Sequence, residues 1–363
     1  LGYACGQFLL SQSGLIKPED LERKYKKELH ANEIVLLAYY IASINIENAY
    51  HDLAKSEKYI PFEGICLTDT FQLGENEDTA LFAEFFPKNS ERVECQKNTP
   101  IRVIIGNPPY SVGQRSANDN AKNESYEKLE NRIKETYVAG TNATNKNALY
   151  DSYIKAFRWA SDRIEENSGG VIGFVSNAGW LDGNAMDGMR KCFEKEFSSI
   201  YVFNLRGNAR TSGEIRRKEN DNVFGQGSRT PVTITLLVKN PAQKKEKAEI
   251  YYRDIGDYLT REEKLSIIKK IGSCLSDEFA PVMLKPDEKG DWINQRNSVF
   301  ENMIIIGDKK DKTNNHTFFC DFYSNGLKTQ RDTWCYNFSK PALEENMNTT
   351  IDFYNQEREK YLQ

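Results

Sequence analysis

The chain has 363 residues, room for about two domains with an extensive core, which excludes a small peptide held together by disulfide staples. Hydrophobic residues make up 39% of it and charged residues 28%, which excludes wholesale disorder. Its 49 Lys and Arg against 53 Asp and Glu give a net charge of -4, so it cannot bind a polyanion through a uniformly basic surface, and any nucleic-acid site must be local.

In chain order, Pro18 to Leu53 has a helical pattern, first charged and then with a broad apolar face. Five short apolar runs predict strands: Gly64 to Phe71, Ile101 to Asn107, Gly169 to Asn177, Ser199 to Gly207 and Val232 to Asn240. Amphipathic stretches at Leu149 to Glu166 and Met186 to Phe197 predict helices between them. Short buried strands alternating with helices indicate an α/β sheet, mostly parallel, with helices on both faces. Ser111 to Lys146 is a polar insertion that reads as a long loop or mobile lid. Past Pro241 come a charge run, a basic helix at Arg261 to Gly272 and a turn-rich linker at Lys285 to Gly290. The expected division is therefore a first domain at 1–245, a connecting segment at 246–300 and a second domain beginning at 301–363.

Seven scattered cysteines with no C-x-x-C pair fit a reducing cytoplasm and argue against a disulfide framework or zinc site. With only three histidines, no metal site is expected. The longest apolar run, Ile34 to Ala42, is too short for a bilayer span of about 20 residues, so no membrane partner is expected. The first methionine is Met186, which leads us to expect a piece of a longer polypeptide.

The sharpest signal is Asn107-Pro108-Pro109-Tyr110, directly after a buried strand. A strand end in an open α/β sheet is where ligands bind, and two prolines stiffen the backbone there. The chemistry that fits is attack by an exocyclic amino or amide nitrogen on an electrophilic methyl. Such a nitrogen is a poor nucleophile because its lone pair is delocalised. The Asn107 side-chain oxygen and the Pro108 carbonyl can accept both N–H groups and draw the nitrogen toward tetrahedral geometry, while Tyr110 offers a face for a flipped base. A proline-stiffened strand exit is the plainer alternative.

This tetrapeptide resembles motif IV of the amino-methyltransferases that use S-adenosylmethionine. The resemblance implies a Rossmann-like S-adenosylmethionine-dependent methyltransferase sheet. It implies that Glu33, at the head of a helix, binds the ribose hydroxyls of the cofactor. It implies too that Asp69 accepts from the cofactor's adenine amino group while Phe71 packs on the ring. The family's glycine-rich cofactor loop has an incomplete counterpart in Ala4-Cys5-Gly6. Phe224, in the region resembling the final hairpin, is the candidate to pack on the target base, the alternative being a loop aromatic tucked into the core.

The order of motifs resembles the gamma class of adenine-N6 DNA methyltransferases, in which a target-recognition domain follows the catalytic one. Ser324 to Ser339 is more specifically similar to the segment after the methylase in Type ISP restriction-modification enzymes. That likeness implies part of a mixed α/β recognition domain here, double-stranded DNA as partner, and helicase and nuclease domains upstream in the same polypeptide. Arg206, Arg210, Arg216, Arg217 and Arg229 lie in a Gly-rich, loop-like segment and are candidates for phosphate contacts, a solvated charge run being the alternative. Lys328 and Arg331, beside Trp334 and Tyr336, form a second basic cluster. A protein-glutamine or RNA N-methyltransferase, and a catalytically silent DNA-binding module, are the other functions compatible with these motifs.

Overall fold

The computed structural model describes residues 17–55, 58–75, 86–109, 126–143, 145–243, 246–297, 299, 302–307, 317–319, 329 and 332–362. They divide into two compact units, with the boundary between Gln295 and Arg296.

The first unit opens with α1 (Pro18–Lys27), which has proline at its start and Lys24, Lys26 and Lys27 in its last turn, a polarity that suits the helix dipole. The helical pattern of Pro18 to Leu53 is then interrupted by a strand, β1 (Ala31–Glu33), before α2 (Leu36–Ala54). Three residues are too few for periodicity to register. What fixes them is parallel pairing with β2 (Ile65–Leu67), in the register Ala31 with Ile65 and Glu33 with Leu67. Under this pair lies a small core in which Tyr25 stacks on Tyr50 at 3.8 Å, with Phe62 and Ile65 beside them.

After α3 (Pro87–Asn98), a six-stranded sheet is built from β3 (Val103–Gly106), β4 (Gly170–Asn177), β5 (Ser199–Arg206), β6 (Val232–Lys239), β7 (Glu249–Asp254) and β8 (Val282–Leu284). Its order is β3-β4-β6-β5-β7-β8. β3 runs parallel to β4 and β5 to β7, whereas β6 is antiparallel to both its neighbours and β8 antiparallel to β7. Side chains along β5 alternate between two cores: Ile200 and Val202 enter the larger, Phe203 and Leu205 the smaller. The larger core is closed by α4 (Glu127–Ile133), α5 (Ser152–Arg163) and α6 (Asp187–Glu196), whose Ile133, Phe157 and Phe193 are fully buried. Burying each such side chain stabilises the fold by about 1.5–3 kcal/mol. The smaller core is closed over β5 and β6 by α8 (Arg261–Ile271), which starts in a Thr260–Glu263 capping box, while Val103 and Ile105 of β3 are exposed on that face.

Cations close two helix C-termini. Nη2 of Arg163, the last residue of α5, donates to the carbonyls of Gln96, Lys97 and Thr99 at the end of α3, and Lys239 Nζ donates to those of Ser161 and Ile164 at the end of α5.

Four expectations need revision. The sheet is mixed rather than mostly parallel, since only β3–β4 and β5–β7 of its five pairings are parallel. The described part of the polar insertion, 126–143, is a helix continued by a π-turn at Lys134–Val138, and it puts Tyr126, Leu129, Ile133 and Tyr137 into the core. Their helical spacing is hidden among charged neighbours. The arginine-rich segment contains a short helix, α7 (Gly213–Glu219). Residues 246–295 are no separate connector: β7, α8 and β8 complete the sheet, and the Arg190 guanidinium, fully buried, donates to Asp291 and to the carbonyls of Trp180, Gly183 and Gly290.

In the second unit, a parallel bridge joins Ile305 and Thr317, and α9 (Asp332–Cys335) precedes the exposed α10 (Lys340–Leu362). No helix among the described residues is long and apolar enough to cross a membrane.

Candidate active site

Glu33 ends β1 beside Leu67, and Asp69 follows two residues after β2 stops, so both carboxylates sit at the carboxyl end of the small parallel sheet. Glu33 is held by its own chain: Oε1 accepts from the backbone N–H of Ile34 at 2.9 Å and of Val35 at 3.0 Å. Its second oxygen has no hydrogen-bond partner among the described residues. Asp69 makes a tight turn, Oδ1 accepting from Phe71 N at 2.9 Å, while Oδ2 accepts from the Tyr126 hydroxyl at 2.6 Å. Among the described residues each Asp69 oxygen accepts one hydrogen bond and keeps a second lone pair. The Phe71 ring meets Tyr126 edge-on at 5.3 Å and packs against the same core as Ile104 of β3.

A further link runs from the β2 exit to α4. The Glu75 carboxylate accepts the backbone N–H groups of Lys128 and Leu129, both at 2.8 Å, which satisfies orphan donors at the start of that helix. Neither Glu75 nor Tyr126 is foreseeable from sequence, since 53 and 57 residues separate them from the groups they meet.

Asn107 follows β3 directly and is exposed, Pro108 is buried and Pro109 exposed. The Asn107 carboxamide has no hydrogen-bond partner among the described residues. Pro108 and Pro109 have no N–H, so the backbone here offers acceptors only. Tyr110 lies outside the described residues, as do Ala4, Cys5, Gly6, Lys328 and Arg331.

Because Gly106 pairs with Phe174 in parallel and Asn177 with Val232 in antiparallel, the exit of β3, the exit of β4 and the entry to β6 share one end of the sheet. The loop entering β6 carries Phe224, 47% exposed, beside the buried Val223. Asn222 anchors it: Nδ2 donates to the carbonyls of Gly207 and Thr230, and Oδ1 accepts from Phe224 N. The side chain two residues before Phe224 thus forms an Asx-turn, a local signal the sequence did contain.

The arginines separate into two groups. Arg206 is committed to carboxylates, Nε donating to both oxygens of Asp254 at 2.8 and 2.9 Å and Nη1 pairing with Asp257. Arg216 donates to the carbonyl of Asn220 at 2.6 Å. Arg210, Arg217 and Arg229 are exposed, and the 3.4 Å pair of Arg217 with Glu214 is a surface contact of little strength. Burial pushes the thiols of Cys66 and Cys192 up to about 11, so neither supplies a thiolate nucleophile at neutral pH.

The family described as Eco57I restriction-modification methylase matches residues 20–208, more than half of the 363. The chain belongs to the Eco57I restriction-modification methylase family. The Type ISP C-terminal specificity domain matches residues 318–363 of this methylase-family chain. Among solved structures it is similar to a nuclease-deletion mutant of the Type ISP restriction-modification enzyme LlaGI in complex with a DNA substrate mimic. The identity is 44% and the TM-score 0.82, over 98% of this chain and 28% of that one. It is likewise similar to the ATP-dependent Type ISP enzyme LlaBIII bound to DNA, at 45% identity and TM-score 0.84, over 98% and 23% of the two chains. The DrdV–DNA complex matches at 35% identity and TM-score 0.77, over 94% and 33%. The chain therefore spans no more than a third of any of these three. No curated protein matches it.

Proposed function

We propose that the chain is the methyl-transfer and target-recognition part of a restriction-modification enzyme, moving a methyl group from S-adenosylmethionine to N6 of an adenine flipped out of double-stranded DNA. The observation that carries this reading is the Asn107-Pro108-Pro109 corner at the carboxyl end of β3, where an exposed carboxamide adjoins backbone that can only accept hydrogen bonds. An amino group has two N–H donors to place, and this corner answers with two acceptors. Asn107 Oδ1 takes one N–H and the Pro108 carbonyl the other, which localises the nitrogen lone pair for attack.

The residues fit the cofactor. Glu33 has one oxygen fixed by backbone N–H groups, which presets the other toward a cis-diol. Asp69 retains lone pairs for an adenine amino group, and Phe71 supplies an apolar face beside it. When bound, S-adenosylmethionine supplies a methyl carbon on a positively charged sulfur, which departs as a thioether while N6 sheds one proton to solvent. Phe224 packs on the extruded base. Arg210, Arg217 and Arg229 take phosphates, with Lys328 and Arg331 as further contacts, and Arg206 and Arg216 stiffen the loop instead. The LlaGI and LlaBIII comparisons support nuclease and ATP-dependent segments in the same polypeptide.

The test is methyl transfer from tritiated S-adenosylmethionine by the full protein expressed from its gene, offered unmethylated DNA, RNA and protein in parallel. Label should enter DNA, and Asn107→Ala should reduce it at least about a hundredfold, the usual cost of losing one such acceptor or donor. Label in RNA or protein instead would favour the other N-P-P-Y chemistries, and DNA binding without cofactor binding a silent module.

A further inference from the structure

The loop between β5 and β6 is held from within by Asn222 and from outside by α8. One helix, α8, grips three of its backbone carbonyls and a fourth at the end of β5. Lys264 Nζ donates to those of Leu205 at 3.0 Å, Glu219 at 3.0 Å and Asp221 at 2.7 Å, and Arg261 Nε donates to that of Val223 at 3.1 Å. Lys264 is fully buried, its three hydrogens meet three carbonyls, and burial pulls its pKa down. A buried ammonium is costly unless its hydrogens are met, and here each meets a backbone carbonyl that would otherwise lose its donor. What the lysine adds is the geometry it imposes on the chain around it.

That geometry converges on one side chain. Asp221 and Val223, both held by α8, flank Asn222, which joins the two ends of the loop and accepts from Phe224 N. Gly207 has φ +91°, and a Cβ there would come within 2.9 Å of Asn222 Nδ2, so the loop closes tightly at its base. Val223 is 8% exposed and Phe224 47%, so the chain turns from core to solvent at that point. With β4 lying between β3 and β6, the strand that leads to Asn107 and the strand Phe224 precedes are about 10 Å apart at the shared end of the sheet.

We infer that Lys264 is a positioning residue for methyl transfer: through Asp221 and Asn222 it fixes where Phe224 leaves the core, and so holds Phe224 ready for the extruded base. The inference rests on the reading of Asn107 and Phe224 given above. It assigns to α8 a part in base extrusion although no atom of the helix need touch DNA.

The experiment uses the full protein and a duplex with 2-aminopurine in place of the target adenine, that adenine being located first by sequencing DNA methylated by the enzyme. Extrusion of 2-aminopurine raises its fluorescence. Lys264→Met should cut this rise at least fivefold and, on the parent duplex with adenine at the target, lower kcat about tenfold, with the KM for S-adenosylmethionine within twofold of wild type. In a Phe224→Ala background the same change should cost nothing further, because both act at one step. Should Lys264→Met not fold, Arg261→Ala, at an exposed position, should reduce the fluorescence two- to threefold. The inference is overturned if folded Lys264→Met keeps the wild-type signal and kcat, if its losses add to those of Phe224→Ala, or if Arg261→Ala is wild type when Lys264→Met cannot be made. Full activity of Asn107→Ala would instead remove the underlying reading. An inactive Asn107→Ala beside a wild-type Lys264→Met would remove this inference alone.

Discussion

The Tyr126 hydroxyl donates a 2.6 Å hydrogen bond to Oδ2 of Asp69, and so ties the turn after β2 to the start of α4. If Asp69 receives the cofactor's adenine, Tyr126 sets the angle at which it does so. Tyr126→Phe keeps the edge-on contact with Phe71 and removes only the O–H. A hydrogen bond to a charged group is worth about 1.5–3 kcal/mol, and part of that should appear as S-adenosylmethionine binding about tenfold weaker by calorimetry. An unchanged Kd would place Asp69 outside the cofactor site.

The buried Arg190–Asp291 pair, at 2.8 Å, makes residues 285–295 part of the first unit. Asp291→Ala removes the carboxylate of this pair and leaves the guanidinium to its carbonyl partners. Breaking a buried pair in this way costs about 3–5 kcal/mol, so urea midpoints should fall accordingly, and Asp291→Asn should lose less.

Gly188, in the first turn of α6, admits no side chain: a Cβ there would lie 2.0 Å from the Tyr137 carbonyl oxygen. Gly188→Ala must push α6 away from the π-turn and should destabilise by about 3 kcal/mol, read as a lower Tm. Gly227, where an added Cβ meets nothing within 4 Å, is the internal control for a milder effect.

Burial pushes the Asp151 carboxyl up to about 6, with the Lys155 ammonium pulling back the other way. The folded chain then holds a proton that the unfolded chain releases near the ordinary value of 3.8. The stability from this group is complete below that value and lost as pH rises through about 6. Asp151→Asn, neutral throughout, should therefore be more stable than wild type at pH 7.5 by about 1 kcal/mol, a figure reduced for partial exposure. The gain should shrink at pH 5. An equal gain at both pH values would mean the carboxyl is not titrating in this range.

Much of the fold was legible because its signals are local. The five apolar runs fall on β2 to β6, and the two amphipathic stretches contain α5 and α6. Strands β1 and β8 are three residues each and owe their form to pairing partners rather than to composition. The insertion hid α4 because Tyr126, Leu129, Ile133 and Tyr137 are spaced among residues that look like loop. In the candidate site, Asn107 and Glu33 stood out by type and position. Their supports did not: Tyr126 reaches Asp69 across 57 residues and Lys264 reaches Leu205 across 59, distances at which sequence carries no spacing rule. The pairing of Arg206 with Asp254, 48 residues on, is likewise set by the parallel register of β5 and β7.

The central claim is tested most directly by the product. DNA amplified without methylation is incubated with the full protein and S-adenosylmethionine, digested to nucleosides and resolved by mass spectrometry. The account predicts N6-methyldeoxyadenosine as the new species, absent with Asn107→Ala. A methylated cytosine in its place, or N6-methyldeoxyadenosine undiminished in the Asn107→Ala protein, would contradict it.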